Sequence, residues 1–220
     1  MSPHRILASS LIVASLAFSA GAGAEPAKTS KVNGSIEIAA DQQVGALSTV
    51  NGAIRVGAGA SAADVATVNG SITVGDRARV ESIDTVNGSI TLGAGTHVAK
   101  GITAVNGSAT LGKGADVGGG ISNVNGRIQL DAAHVGGRLE TVGGDLQIGA
   151  DSRVDGGILV DKSTGWSIGF SRKPRVVIGP RAKIGGTLEF RREVQLYVSD
   201  SATIGTVTGA TAETFSGEEP

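Results

Sequence analysis

The tripeptide Val-Asn-Gly occurs six times, beginning at Val32, Val50, Val68, Val86, Val105 and Val124, at intervals of 18, 18, 18, 19 and 19 residues. A degenerate seventh copy, Val142-Gly143-Gly144, follows 18 residues later. Repetition at a short fixed period constrains a chain more than any single motif, because each unit must bury its apolar face against its neighbours. Eighteen residues are too few for a hairpin pair plus a helix, and after the N-terminal segment no stretch keeps a helical apolar period.

Aligning the copies turns the repeat into columns. Two residues after each Asn-Gly stand Ile36, Ile54, Ile72, Ile90, Ala109, Ile128 and Leu146, and two further on Ile38, Val56, Val74, Leu92, Leu111, Leu130 and Ile148. Glu37, Arg55, Thr73, Thr91, Thr110, Gln129 and Gln147 lie between them, which is the in-out alternation of a short strand with one buried face. A glycine then ends most strands, at Gly57, Gly75, Gly93, Gly112 and Gly149, and predicts a corner there. Further columns hold Val44, Ala62, Val80, Val98, Val117, Val135 and Val154, then Leu47, Val65, Ile83, Ile102, Ile121, Leu139 and Ile158. With the leading Val of each Val-Asn-Gly counted inward, every period offers five core positions.

The pattern predicts an all-β fold: a single-stranded β-helix, or β-solenoid, of about nine coils of 18–19 residues with three short faces per coil. At roughly 4.8 Å per coil the stack is about 40 Å tall. With 3% aromatics, 35 Gly and no Cys, the core must be thin and aliphatic. Asn tolerates and Gly prefers a left-handed backbone, so Asn-Gly is expected to turn the chain at one corner. The amides of Asn33, Asn51, Asn69, Asn87, Asn106 and Asn125 are expected to bond along a structural ladder. A type I′ hairpin at each Asn-Gly would instead give a meander or sandwich, but the segment before it alternates poorly. The Asn-Gly-Ser sequons at Asn33, Asn69, Asn87 and Asn106 follow from the repeat, so they carry no separate modification signal.

Residues 1–24 read as a Sec-type signal, with His4 and Arg5 before the apolar run Ile6 to Phe18 and Ala22-Gly23-Ala24 as the cleavage site. Export to the periplasm, cell surface or medium is therefore expected. Residues 25–31 read as a flexible N-terminus, 32–208 as the solenoid, and 209–220 as an acidic C-terminal tail. After Val160 the frame jumps by about twelve residues, placing an inserted loop at 162–175, and it resumes through Ile178, Ile184 and Leu188, with Phe190 in the leading-Val position.

The TVNGSITVG copies, residues 32–148, resemble the adhesin-type repeat proteins exported by many bacteria. The stretch RVVIGPRAKIGGTLEF, within about 174–208, is similar to the coils of bactofilins, the polymer-forming cytoskeletal β-helices. The resemblance implies a right-handed β-helix with no catalytic residues to carry over; an exported chain departs from the cytoskeletal setting of bactofilins.

Chemistry-bearing residues are sparse. Segments such as LGKGADVGGGI resemble the hexapeptide coils of acyltransferases, where a histidine is the general base, but His97 and His134 each precede a core Val and should point outward, two coils apart. Two histidines without Cys fall short of a zinc site. Asp145, Asp151 and Asp155 read as scattered corner residues. No catalytic residue, metal site or cofactor is expected.

Charge is lopsided. From Lys162 to Arg192 eight bases face one acid, whereas Asp41 to Asp161 hold twelve acids and eight bases, for a chain of net charge −1. The insertion adds Trp166 and Phe170 to Arg172, Lys173 and Arg175, a candidate binding loop for an anionic envelope polymer, lipid headgroups or an acidic protein. The same loop could instead cover the core or a strand edge. Nucleic acid is not an expected partner, and self-association through the solenoid ends is compatible with the pattern. The reading is a non-catalytic, exported structural or adhesin-like solenoid of the cell envelope; the alternatives are a glycan- or lipid-binding module using loop 162–175 and, more distantly, a hexapeptide-type acyltransferase.

Overall fold

The computed structural model describes residues 26–162 and 172–220. The expected signal, 1–24, and the centre of the expected insertion, 163–171 with Trp166 and Phe170, lie outside the described residues.

The described chain is an all-β solenoid whose strands pair in parallel from coil to coil. Ten short strands, from Ile36–Ile38 to Ala212–Phe215, stack as one sheet, marking ten turns. Like pairs with like: Ile54 stands between Ile36 and Ile72, and Leu111 between Leu92 and Leu130. A second sheet carries the other two faces. Its strands Ser61–Asn69 and Arg79–Asn87 run unbroken across both faces. From the next coil on, the two faces are separate strands, His97–Val98 and Ile102–Asn106. The cause is legible in the numbering. Val80 and Ile83 are three residues apart, but their partners Val98 and Ile102 are four apart, so the extra residue of the 19-residue period falls there and breaks the strand.

The four aliphatic columns point inward as expected, with Ile54, Ile72, Ile90, Leu111, Val117 and Leu139 fully buried. Each such side chain contributes on the order of 1.5–3 kcal/mol by leaving water. The leading Val does not join them: Val32, Val50, Val68 and Val86 are 67%, 40%, 39% and 40% exposed. The fifth inward column is the residue before it, Thr49, Thr67, Thr85, Ala104, Asn123, Thr141, Val160 and Phe190. Alternation from the buried Leu47 decides this, since Ser48 faces out and Thr49 in. The hydroxyl does not oppose burial because it is satisfied: Thr49 and Thr67 Oγ1 donate to the carbonyls of Gly34 and Gly52, each at 3.1 Å. Phe190 accordingly pairs with Val160 in this column and not in the leading-Val position. A small inward column also went unread: Ala60, Ala78, Thr96, Ala115, Ala133, Ser152 and Ala182.

The Asn-Gly corners meet the expectation only in part: Gly34 and Gly126 take positive φ, 114° and 128°, but not every copy does. Gly70 and Gly88 do not take the left-handed backbone; a Cβ there would overlap the carbonyl oxygen of Gly52 or Gly70 one coil back, so close stacking demands glycine. The left-handed corner falls two residues after the strand-ending glycines, at positions such as Arg77 (φ 55°), Gly95 (φ 63°) and Asp151 (φ 59°). The amides do form a ladder: Nδ2 of Asn51, Asn69, Asn87, Asn106 and Asn125 donates to Oδ1 of the preceding Asn at 2.9–3.1 Å.

Paired strands extend beyond the expected limits of 32 and 208. Thr29–Asn33 pairs with Leu47–Asn51, and Ala212–Phe215 with Gln195–Ser199. Both are mostly exposed, held by main-chain bonds and not by apolar periodicity, so neither left a pattern to read. The last strand supplies the tenth turn, one more than the period count.

Candidate functional site

The root of the insertion is organised around Asp145. Leu146 pairs with Val176 thirty residues on, which brings the returning chain beside Asp145. The carboxylate is mostly shielded, its side chain 13% exposed against 75% for Arg172. Arg172 Nη2 donates to its Oδ2 at 2.7 Å, and the backbone N–H of Arg175 to its Oδ1 at 2.9 Å. Arg175 sits 5.2 Å from the ring centroid of Tyr197, and Lys173 pairs with Glu193 at 3.0 Å. Arg192 ties the same root by donating to the carbonyls of Val142 and Arg172.

Of the five residues expected to bind, Arg172, Lys173 and Arg175 thus come together, while Trp166 and Phe170 fall outside the described residues. The charge excess of the sequence is matched in part across coils, with Arg172, Lys173, Arg181 and Arg191 ion-paired. Arg181 grips Asp151 through Nε and Nη2, both at 2.7 Å, and Arg191 reaches Glu189 and Asp161. Asp151 and Asp161, from the acidic stretch of the chain, become stacked neighbours of these bases because the register carries one coil onto the next. Asp151 is held below the ordinary carboxylate range by its hydrogen bonds from Arg181.

Beside this root lies an open polar cleft of about 360 Å³. It is lined along the corner by Gly126, Gly143 and Gly144, and a Cβ at Gly126 or Gly144 would overlap the carbonyl oxygen one coil back, so the coils approach closely there. Ser108 and Arg127 line the corner side, Thr110 and Gln129 the adjoining strand face, and Asp145 with Arg172 closes one end. Thr110 and Gln129 are register partners in successive coils. Arg127 was counted in the sequence only as a charge and Gln129 only as an outward spacer; no local motif marks them, because a cleft assembled from successive coils has none.

His97 and His134 face outward, two coils apart, and Asp116 stands between them in register. Asp116 Oδ2 meets His97 Nδ1 at 2.8 Å and Oδ1 meets His134 Nδ1 at 2.6 Å. His134 Nε2 continues to Asp155 at 3.0 Å, and Arg153 Nε donates to Asp155 at 2.6 Å. Partial burial opposes ionisation of Asp116, but the hydrogen bonds from His134 and His97 outweigh it and hold the carboxyl below its ordinary value. Asp155 and Asp116 favour the imidazolium of His134 and push its pKa up, and Asp155 is lowered by His134 and then Arg153. Asp155, at the corner after Arg153–Val154, thus bonds to this column through His134 and Arg153 and is not isolated. Adding the period to His97 reaches Asp116 and then His134, so this column was available to arithmetic.

Among the described residues no group of three or more His, Cys, Asp or Glu side chains is placed to hold a metal ion, and no helix is long and apolar enough to cross a membrane. No protein-family model, curated protein or solved structure matches this chain.

Proposed function

We propose that this protein is an exported, non-catalytic structural or adhesin-like β-solenoid of the bacterial cell envelope, acting by presenting a repeated surface along a stiff rod. The observation that carries this reading is the outward repetition of Val beside Asn. Core packing explains why inward columns repeat, and the amide ladder explains the Asn. Neither requires an exposed Val, yet four of the six copies, Val32, Val50, Val68 and Val86, keep one on the same stripe, with Val105 and Val124 half-buried. An enzyme needs its site once, whereas an extended contact uses the same side chain at every coil. The resemblance of residues 32–148 to exported adhesin-type repeats and the signal-like segment 1–24 support export.

The pairing of Arg172, Lys173, Arg181 and Arg191 with acids leaves less free cationic surface than the sequence count suggests, which favours presentation over docking through loop 162–175 on charge alone. Cell fractionation with N-terminal sequencing tests the reading. The expected product begins near Glu25 and lies in the periplasm, envelope or medium. An unprocessed chain confined to the cytosol overturns it. For the presentation step, replacing Val50, Val68 and Val86 together with Ser should abolish retention on isolated envelopes while the melting temperature changes little; undiminished retention rejects the Val stripe as the contact.

A further inference from the structure

The cleft beside Gly126, Gly143 and Gly144 carries outward polar side chains, Thr110, Arg127 and Gln129, that the fold does not require. Among the described residues, the Thr110 hydroxyl, the Gln129 amide and the Arg127 guanidinium have no side-chain hydrogen-bond partner in the protein, although all three line one cavity. Among the described residues no ion pair joins Arg127 to the nearby Asp145, whose carboxylate is shared with Arg172 and the Arg175 N–H. The cleft is therefore polar and net cationic: two guanidiniums against one carboxylate, one of the guanidiniums unpaired.

Its two sides differ. The corner side and end wall carry Arg127 and Arg172, while the strand-face side carries the neutral Thr110 and Gln129, one coil, or roughly 4.8 Å, apart. Hydroxyl and amide each donate and accept, which suits vicinal sugar hydroxyls that do the same. A guanidinium suits a carboxylate, which it can grip with two N–H groups. A simple inorganic anion would use the arginines and leave the neutral side empty; a neutral sugar would leave Arg127 unanswered. The volume of about 360 Å³ lies at the small end of the range of about 300–1,000 Å³ for small-molecule sites and admits one or two rings.

We propose that this cleft is a binding site for an acidic saccharide, the sugar carboxylate on Arg127 and its hydroxyls on Thr110 and Gln129. The site is separate from the Val stripe and stands whether or not the chain is exported, so its failure and that of the presentation reading are distinguishable.

Titration of the full chain with glucuronate, glucose and inorganic phosphate, followed by amide NMR, tests it. Glucuronate is expected to move the resonances of Gly126, Gly143 and Gly144 and to bind at least about tenfold more tightly than either comparator, the margin of one charge-assisted contact. Arg127→Gln should bring glucuronate down to the glucose level, and Gln129→Ala should weaken it while leaving the melting temperature unchanged. Arg55→Gln, in the same outward column as Gln129 but several coils away, should change nothing. Absence of shifts with glucuronate, equal binding of glucose, or equal binding of phosphate, meaning an adventitious ion only, overturns the proposal. So does glucuronate affinity that survives both Arg127→Gln and Gln129→Ala.

Discussion

At the scale of single residues, side-chain polarity and strand parity disagree at Thr-Val-Asn-Gly, and parity wins. The buried Leu47 sets Thr49 inward, and a Gly carbonyl one coil away accepts its hydroxyl, so burying Thr costs little and exposing Val forfeits only one side chain's transfer. Ile90→Ala is accordingly expected to destabilise by about 2–5 kcal/mol, whereas Val86→Ala should stay within about 0.5 kcal/mol; equal urea midpoints for the two would reject the assignment. Asn123 occupies the Thr column with its Nδ2 on the Gly107 carbonyl at 2.9 Å, but its Oδ1 is buried without a partner. Asn123→Thr restores the bond made by Thr49 and Thr67 and removes the orphan oxygen, which should raise stability by about 1 kcal/mol in chemical denaturation. A loss of stability would show that the amide oxygen is satisfied in solution.

At the scale of elements, register converts residues distant in sequence into columns with their own chemistry. The column of Arg79, His97, Asp116, His134 and Arg153 alternates charge where it matters most, around Asp116. The raised pKa of His134 means that its contribution is complete below its ordinary value of 6.5 and is lost as pH climbs through the higher folded value. Asp116 and Asp155, lowered from 3.8, contribute above that pH and lose their contribution as it falls through their depressed values. The column therefore stabilises most between about pH 4 and 6.5. The melting-temperature gap between wild type and His134→Gln should be widest near pH 5 and narrow by pH 8; a gap that widens toward pH 8 contradicts the column. Neither His nor Asp alone signals this. Their separation by one period does.

At the scale of the whole molecule, length follows from coil number. Ten turns at about 4.8 Å per coil give a rod roughly 45 Å long. Small-angle scattering should return that length with a constant narrow cross-section; a near-isotropic particle would require a different arrangement of the same strands. The charge map also belongs to this scale. The eight bases to one acid between Lys162 and Arg192 make a weaker cationic patch than the count suggests, because Asp145, Asp151 and Asp161 are stacked against it. Net charge along a repeat chain predicts little about surface potential, because neighbours in space are one period apart.

The sequence by itself determined the fold class, the parallel in-register stacking and four of the six inward columns, because a short period with matched apolar positions has few ways to bury them. It also carried the amide ladder and the place of the insertion. Tertiary structure alone decided the parity of the Thr-Val step, the two terminal strands, the partial neutralisation of the basic stretch and the cleft beside Asp145. Each of these depends on what lies directly above or below a residue in the stack, and that neighbour is chosen by hydrogen-bond register and close backbone approach, not by any property of the residue read alone.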